Sequence, residues 1–419
     1  MAPGFAARIL AQSEPHGLMF AADRAKVTNI NPLTVLIVVP SLQAGAADLC
    51  VIDLVRILAV AGNRPIVLSS GGRLEGEIAA LGGEFIRADV ASKNPFVMMR
   101  NADIMRRIAR KERCDIIHAH GRAPAWSAWI ASRLAGVPFI TSWYKGFREQ
   151  NVFKRLYNSV MARGDRIIAV SDQLAELISH RYGISWGRIN VVPLSIDLQR
   201  FDPDTISQER VESIRRAFGV EPGAKLILVT GRLLRRKGHH LVVQAVHRLK
   251  DMGLKDFVCV FAGEDHGKSR YTGELWDLVL ATQTADVIRM TGPVDDLLAA
   301  YAAASVVVSA ATQDEGLQRT VLEAQAMARP VIVSDLGAGP EVVLAPPSVS
   351  EDRMTGLRFS AGDDAALAAA LVRLFSMPEA ARAAIGSRGR AWVTAHFDAS
   401  AVADLTLKLY AEAVRNRKT

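Results

Sequence analysis

Two glutamates placed eight residues apart are the most informative feature of this 419-residue chain. Glu315 and Glu323 lie in the run DEGLQRTVLEAQAMARPVIVSD. The pattern predicts a strand at 305–310, a helix at 320–328 and a second strand at 330–334. Ligands bind at the carboxyl ends of parallel strands, so Glu315 in the loop would face a ligand and Glu323 could turn toward a ribose diol. For an isolated pair, ordinary surface glutamates would be the better interpretation.

A group of cations follows the apolar run KLILVT. The turn GRLLRRKGHH contains Arg232, Arg235, Arg236 and Lys237 and leads into the amphipathic stretch LVVQAVHRL. Cations beside the free N–H groups of a helix start can bind a diphosphate. A solvated charge run is the alternative. The cationic loop and the glutamate loop each follow a strand of the same half of the chain, which favours a shared binding site.

Strand-like runs alternate with helical stretches along the whole chain. The runs are TVLIVVP, PIVLSS, CDIIHAH, PFITSW, RIIAVS and RINVVP, then KLILVT, FVCVFAGE, VIRMTG, SVVVSA and PVIVSD. Helices of this length between strands predict parallel sheets with right-handed crossovers, hence two doubly wound domains. The polar stretch SIDLQRFDPDTIS marks the boundary. We expect a loose extension at 1–32, domains at 33–200 and 201–390, and a closing helical segment at 391–419.

Length and composition fit two ordinary cores, since 50% of the residues are hydrophobic and 22% are charged. No apolar run approaches the ~20 residues that span a bilayer, and the first residues lack the pattern of a signal peptide. Cys50, Cys114 and Cys259 are scattered and odd in number, which indicates a reducing cytoplasm and no metal site.

Positive charge is concentrated in one part of the chain. Residues 96–166 contain 14 Lys or Arg and 5 Asp or Glu, against a net charge of +8 for the whole chain. Interleaved aromatic residues make this a basic and aromatic surface that suits anionic lipid head groups or a phosphorylated glycolipid. Nucleic acid is disfavoured as a partner because no nucleic-acid-binding motif accompanies the charge. A solvated face is the remaining alternative.

Three short motifs suggest a cofactor or metal site, but their sequence context argues against each. Gly337-Ala338-Gly339 lacks the third glycine of a nicotinamide fingerprint. The D-x-D string at 202–204 lies in the linker, where no strand delivers it to a metal. His118 and His120 are expected to point to opposite faces of their strand, which disfavours a shared metal ion. His120, nearest the carboxyl end of the strand, could instead line a ligand site.

The chain resembles the retaining glycosyltransferases of family 4. GRLLRRKGHH matches the G-R-x4-K-G donor loop of that family, and EGLQRTVLEAQAMARPVI matches its E-G-x6-E-A-x-A-M-A-x-x-P-V-I motif. The resemblance extends from residue 33 to the C-terminus. It implies the α/β fold class called GT-B, in which two Rossmann-like domains face a cleft.

The resemblance also implies roles for individual residues. Arg232 and Lys237 would bind the diphosphate and stabilise it as it leaves, Glu323 would bind the ribose, and Glu315 would act beside the transferred sugar. The further donor-binding candidates are Gly45, Gly263, Met290 and Leu317. The implied reaction is the metal-independent and cofactor-independent transfer of a hexose-type sugar from a nucleotide-sugar donor, with front-face attack and retention.

Departures from the family pattern lie mainly on the acceptor side. Tyr144 occupies the place of a family histidine, and Ala328 replaces a family glycine. The acceptor-side candidates are Tyr144, Lys145, His120 and Arg122. The resemblance implies a glycolipid or polysaccharide acceptor, as in lipopolysaccharide core synthesis, and a peripheral location on the inner face of the cytoplasmic membrane. A weakly active scaffold homologue and a sugar-nucleotide epimerase remain alternatives.

Overall fold

A computed structural model describes residues 32–43, 45–147, 151–264 and 270–418, and it divides into two compact units. The first unit contains the residues up to Ser195 and those from Ala399 onward, and the second unit is Ile196–Asp398. These bounds differ from the expected 200 and 390. The Ile196 N–H donates to the Phe397 carbonyl over 2.8 Å. This backbone hydrogen bond joins the beginning of the second unit to its end.

The first unit contains one parallel sheet in the order β3-β2-β1-β4-β5-β6-β7. Its strands are β1 (Thr34–Val38), β2 (Arg64–Ser69), β3 (Glu84–Arg87), β4 (Ile116–Ala119), β5 (Phe139–Trp143), β6 (Arg166–Ala169) and β7 (Ile189–Val191). The helices between them are α1 (Ala46–Val60), α2 (Glu75–Ala80), α3 (Pro95–Lys111), α4 (Arg122–Ala135), α5 (Val152–Asn158) and α6 (Asp172–Tyr182).

The second unit repeats this arrangement in the order β10-β9-β8-β11-β12-β13. Its strands are β8 (Lys225–Thr230), β9 (Phe257–Ala262), β10 (Ile288–Gly292), β11 (Val306–Ser309), β12 (Val331–Ser334) and β13 (Leu357–Phe359). Its helices are α7 (Gln208–Ala217), α8 (His239–Asp251), α9 (Arg270–Ala281), α10 (Leu297–Ala303), α11 (Arg319–Ala326), α12 (Gly339–Val342), α13 (Asp364–Ser376) and α14 (Glu379–Phe397). Two doubly wound parallel sheets confirm the predicted fold class.

Two strands were missed by the sequence interpretation, and both are edge strands. Strand β3 is charged at both ends and only partly buried, and β13 has three residues. An edge strand has one neighbour, so it can form with fewer buried apolar residues than a central strand. The periodicity signal is correspondingly weak there.

A last helix, α15 (Ala399–Lys418), packs on the first unit. Val402, Leu409 and Tyr410 are buried in the same apolar cluster as residues of β1 and α1. No helix in the described part of the chain combines the length and the apolar character that crossing a membrane requires.

Helix α14 lies against α11 through two glycines. A Cβ atom on Gly386 would lie 2.1 Å from the carbonyl oxygen of Ala328, and one on Gly389 would lie 3.2 Å from the Gln325 side chain. Ala328 itself has a φ of 54°, the left-handed region that costs a residue with a Cβ about 1–2 kcal/mol. The family glycine at this position is therefore explained by backbone conformation.

Gly386→Ala is expected to lower the free energy of unfolding by about 1–3 kcal/mol, because the new methyl group meets backbone that cannot rotate away. Gly273→Ala is the matched control, since Gly273 also lies in a helix but has nothing within 4 Å of an added Cβ. That control should be up to about 1 kcal/mol more stable than the parent protein. Denaturant unfolding of both variants makes the comparison, and equal stabilities would contradict the proposed packing.

Candidate functional site

The loop after β8 is held against the end of β11. Gly238 caps the start of α8 with a φ of 73°, and a Cβ atom there would lie 1.7 Å from the Ala310 carbonyl oxygen. The Thr312 N–H donates to the Arg236 carbonyl over 2.8 Å. Since β8 and β11 are neighbours in the sheet, the cationic loop and the glutamate loop meet at its carboxyl edge.

Glu315 contacts two cations of the loop after β8. One of its carboxylate oxygens lies 2.6 Å from the Arg236 Nε, and the other is paired with the Lys237 ammonium group. Only 9% of the Glu315 side chain is exposed. Sequence reasoning placed Lys237 on a diphosphate and Glu315 beside a sugar, and the structure shows that the two side chains contact each other directly.

Arg232 comes five residues before Lys237 in the same loop and is exposed. Gly231, with a φ of 114°, turns the chain just before it. A Cβ atom on Gly263 would lie 2.0 Å from the Gly231 carbonyl oxygen and 3.2 Å from the Arg232 nitrogen. Gly263 therefore allows the loop after β9 to pack on the Arg232 turn, which is a structural reason for a glycine at this donor-binding candidate.

Arg235 interacts with residues outside this cluster. Its guanidinium group lies 5.3 Å from the centre of the Tyr271 ring and pairs with Glu274. Lys237, in contrast, extends back over the turn, with its Cε 4.0 Å from a Cβ atom placed on Gly231. The cations that contact Glu315 are thus Arg236 and Lys237, whereas Arg235 pairs with Glu274.

Glu323 is buried in the second turn of α11. The Tyr301 hydroxyl donates to its Oε2 over 2.9 Å, and the Arg319 Nε donates to its Oε1 over 3.3 Å. Burial raises the pKa of this carboxyl group. Arg319 is four residues before Glu323, a helical pairing that the sequence could have signalled, whereas Tyr301 comes from another helix. The role of Glu323 at a ribose remains a prediction.

The other donor-binding candidates differ in accessibility. Leu317 is buried in the loop before α11, and Met290 is half-buried in the edge strand β10. Gly45 caps the start of α1 in the first unit, where its N–H and that of Gln43 both donate to Asp48 Oδ2 over 2.9 Å. The Gly45 N–H therefore donates to Asp48, and a role for Gly45 in donor binding stays a prediction.

The expectation that His118 and His120 point to opposite faces is also wrong. Their ring centres lie 4.1 Å apart, because residues two apart along a strand share a face. His120 is buried, its Nδ1 lies 2.5 Å from the Tyr144 hydroxyl, and the two rings stack. Burial lowers the pKa of His120 to about 3 and raises that of Tyr144.

The remaining acceptor-side candidates lie near this pair in sequence. Arg122, at the start of α4, has its guanidinium carbon 5.9 Å from the centre of the Trp143 ring, and Lys145 is exposed. Among the residues that the structure describes, no group of three His, Cys, Asp or Glu side chains is arranged to hold a metal ion. Asp202, from the D-x-D string, accepts from Arg390 over 3.1 Å and caps a short turn.

An apolar patch is exposed on the basic part of the first unit. We define the apolar patch by its five exposed side chains, which are Phe96, Met99, Val152, Phe153 and Leu156. Phe96 and Phe153 are 87% and 82% exposed. These side chains belong to two segments of the chain, 96–99 and 152–156. Helix α4 is hydrogen bonded next to both, because Ser127 donates to the Met98 carbonyl over 2.9 Å and Trp126 donates to the Tyr157 carbonyl over 3.1 Å.

Cations accompany the apolar patch. Arg100, Lys154 and Arg155 are neighbours of its members in sequence. Arg163 lies over two tryptophans of α4, 5.2 Å from the Trp126 ring centre and 4.6 Å from that of Trp129. The predicted basic and aromatic surface thus includes exposed apolar side chains beside positive charge.

Two family profiles match this chain. Glycosyltransferase Family 4 matches residues 48–200, and Glycosyl transferases group 1 matches residues 224–377. A D-inositol 3-phosphate glycosyltransferase of Actinosynnema mirum is 28% identical over 70% of this chain and 73% of its own length. For the corresponding protein of Nocardiopsis dassonvillei the match spans only 55% of that relative.

Solved structures extend the comparison. A glycosyltransferase from Rickettsia africae superposes with a TM-score of 0.84 and 28% identity, covering 92% of this chain and all of that one. HepE from Anabaena, solved with UDP-glucose, gives a TM-score of 0.77 at 18% identity over 92% of this chain and all of its own, a likeness of fold. Together with the two parallel-sheet units, these matches identify the chain as a glycosyltransferase of the GT-B architecture and of family 4.

Proposed function

We propose that this enzyme transfers a hexose-type sugar from a nucleotide-sugar donor to a hydroxyl group of a glycolipid or polysaccharide acceptor, with retention and without a metal ion. The observation that carries the proposal is the cluster of Arg236, Lys237 and Glu315, with the exposed Arg232 in the same loop. A nucleotide sugar needs positive charge for its diphosphate and a carboxylate near its sugar. This cluster supplies both at the carboxyl edge of one sheet.

The chemistry follows from the charges. As the glycosidic bond breaks, the diphosphate leaves as an anion and the anomeric carbon gains positive character, so preorganised charges of both signs stabilise the transition state. Arg232 and Lys237 would bind the diphosphate near the start of α8, where the helix dipole also favours an anion. A phosphate that takes Lys237 would release one Glu315 oxygen for a sugar hydroxyl.

The acceptor proposal rests on the first unit. The apolar patch and its flanking cations suit an anionic membrane surface, which would place the enzyme beside a glycolipid such as a lipopolysaccharide core. A second candidate acceptor is a phosphorylated polyol, since the relatives are named D-inositol 3-phosphate glycosyltransferases. A panel of sugar nucleotides, tested with lipid extract and with inositol phosphate, distinguishes the two acceptors and separates transfer from binding alone or donor epimerisation.

Lys237→Ala and Arg232→Ala are each expected to weaken binding of the nucleoside diphosphate about ten-fold or more, because a charge-assisted hydrogen bond to phosphate contributes roughly 1.5–3 kcal/mol. Calorimetric titration measures the effect. Lys250→Ala is the matched control, since Lys250 lies at the far end of α8 and pairs with Asp286. Unchanged affinity in both Arg232→Ala and Lys237→Ala would contradict the proposal that these two residues bind the diphosphate.

Glu315→Gln and Glu323→Gln are expected to change different kinetic constants. Glu315→Gln should lower turnover by about two orders of magnitude, because its charge acts on the transition state. It should leave nucleoside diphosphate affinity unchanged or slightly increased, since Lys237 loses a competing carboxylate. Glu323→Gln should mainly raise the KM for the donor. Steady-state kinetics on both variants provide the measurement, and the reverse pattern would show that the two roles are misassigned.

Replacing Phe96 and Phe153 together by Ser should lower binding to anionic liposomes at least about ten-fold, because burying one aromatic side chain contributes roughly 1.5–3 kcal/mol. The matched control replaces Val60 and Leu405, which are 85% and 47% exposed in the same unit, by Ser. Sedimentation with anionic and neutral liposomes at several salt concentrations makes the test. Added salt should weaken binding to the anionic vesicles. Equal loss in both double variants would contradict a defined docking surface.

A further inference from the structure

Three side chains of the second unit, one each from β8, α10 and α11, form a hydrogen-bonded row. The Tyr301 hydroxyl donates to Glu323 Oε2 over 2.9 Å, and the Thr230 hydroxyl lies 3.2 Å from the same Tyr301 oxygen. Tyr301 is completely buried, and Thr230 and Glu323 are 7% and 8% exposed. Thr230 is the last residue of β8 and directly precedes Gly231 and Arg232. The row therefore joins the end of the strand that leads into the cationic loop to the buried glutamate of α11.

The hydrogens of this row have one consistent order while Glu323 is ionised. A carboxylate only accepts hydrogen bonds, so Tyr301 gives its single hydrogen to Glu323. Burial raises the pKa of Tyr301 well above its usual value, so the hydroxyl keeps this hydrogen at physiological pH. The Thr230 hydroxyl then donates to the Tyr301 oxygen. Glu323 Oε2 thus has a hydrogen-bond donor inside the unit, and that donor is itself held in place.

The two oxygens of Glu323 are bound differently. Oε2 is bound to a side chain with no exposed surface, whereas Oε1 accepts from Arg319 Nε over 3.3 Å. The Arg319 distance exceeds the usual range of about 2.7–3.2 Å for N–H···O hydrogen bonds. The Arg319 and Glu323 side chains are 16% and 11% exposed. Oε1 is therefore the more weakly held oxygen, and it pairs with a side chain that solvent reaches.

The position of Tyr301 does not depend on Glu323. Asp296 caps the start of α10, and both of its carboxylate oxygens accept from Arg210 of α7 over 2.8 Å. The ring centres of Phe201 and Tyr301 lie 6.5 Å apart. Tyr301 is thus placed by its own helix and by an aromatic neighbour, so its hydroxyl can orient Glu323.

We propose that Tyr301 is a positioning residue for the donor: its hydroxyl, held by Thr230, binds Glu323 Oε2 and leaves Oε1 to accept from a ribose hydroxyl of the nucleotide. Because Thr230 precedes the Arg232 turn, the row also fixes the ribose contact relative to the diphosphate contact. Tyr301 acts through Glu323, since it has no exposed surface of its own. The proposal rests on the proposed function for the identity of the ligand as a nucleotide.

Carbon-13 NMR of the glutamate carboxyl groups tests the positioning without any nucleotide. The Glu323 resonance, assigned through Glu323→Gln, is followed against pH in the parent protein and in Tyr301→Phe. Burial raises the pKa of Glu323. Arg319, the Tyr301 hydroxyl and, more weakly, Arg200 favour the charged form and lower it. Removing the hydroxyl should therefore move the midpoint to higher pH, and an unchanged midpoint would overturn the proposal.

Two further variants control this experiment. Tyr410→Phe is matched in burial, because Tyr410 is also completely buried and also loses a hydrogen bond of its hydroxyl, but in the first unit. It should leave the Glu323 midpoint unchanged. Thr230→Val keeps the Tyr301 ring and should move the midpoint in the same direction by a smaller amount. If Tyr301→Phe does not fold, the midpoint in Thr230→Val decides.

Calorimetric titration then tests the ribose contact. UDP, GDP and ADP are compared with their 2′,3′-dideoxy forms, which lack the hydroxyl groups that Glu323 would bind. Tyr301→Phe should weaken binding of the matching diphosphate about three- to ten-fold and leave binding of its dideoxy form unchanged. In the Glu323→Gln background, Tyr301→Phe should have little further effect, because both act on one contact. Equal weakening of both forms would overturn the ribose contact.

The two experiments separate this inference from the proposed function. If none of the three diphosphates binds the parent protein, the donor assignment fails and the ribose contact fails with it. The carboxyl titration still decides in that case whether Tyr301 positions Glu323. If a diphosphate binds but the Glu323 midpoint does not move, the donor assignment stands and the inference is wrong.

Discussion

The close approach of the Gly238 backbone to Ala310 is the constraint on which the charged site of the second unit depends. With no Cβ at position 238, the loop after β8 lies directly on the end of β11, and a methyl group there would overlap the Ala310 carbonyl oxygen. That contact brings Arg236 and Lys237 to both oxygens of Glu315. The charges are thus ordered before a ligand arrives, which is how an enzyme avoids reorganising polar groups during the reaction.

The first unit achieves order at its sheet edge in a different way. Its polar groups are uncharged and are joined by hydrogen bonds rather than by ion pairs, because burial disfavours the charged forms of His118 and His120. One of these hydrogen bonds joins His118 to Tyr410, which is 292 positions away in sequence. The last helix therefore contributes to the polar edge as well as to the core of this unit.

Departures from the family pattern acquire physical meaning in the structure. Ala328 keeps the left-handed backbone for which a glycine is suited, so the substitution costs some stability and leaves the turn intact. Tyr144 takes the place of a family histidine but is stacked on His120 and hydrogen bonded to it. A histidine thus remains at this edge, carried by the neighbouring strand rather than by β5.

The sequence by itself determined the central strands, the two doubly wound sheets and the positions of Glu315 and Lys237 at strand ends, because local periodicity and turn residues dictate them. The edge strands β3 and β13 escaped prediction, since a strand with one neighbour needs little apolar patterning. Tertiary structure alone decided the partners of the polar groups. The Gly45 N–H donates to Asp48, the Tyr301 hydroxyl donates to Glu323, and the Tyr410 hydroxyl is hydrogen bonded to His118. The last two of these hydrogen bonds join side chains from different elements, and their geometry exists only after the elements have packed.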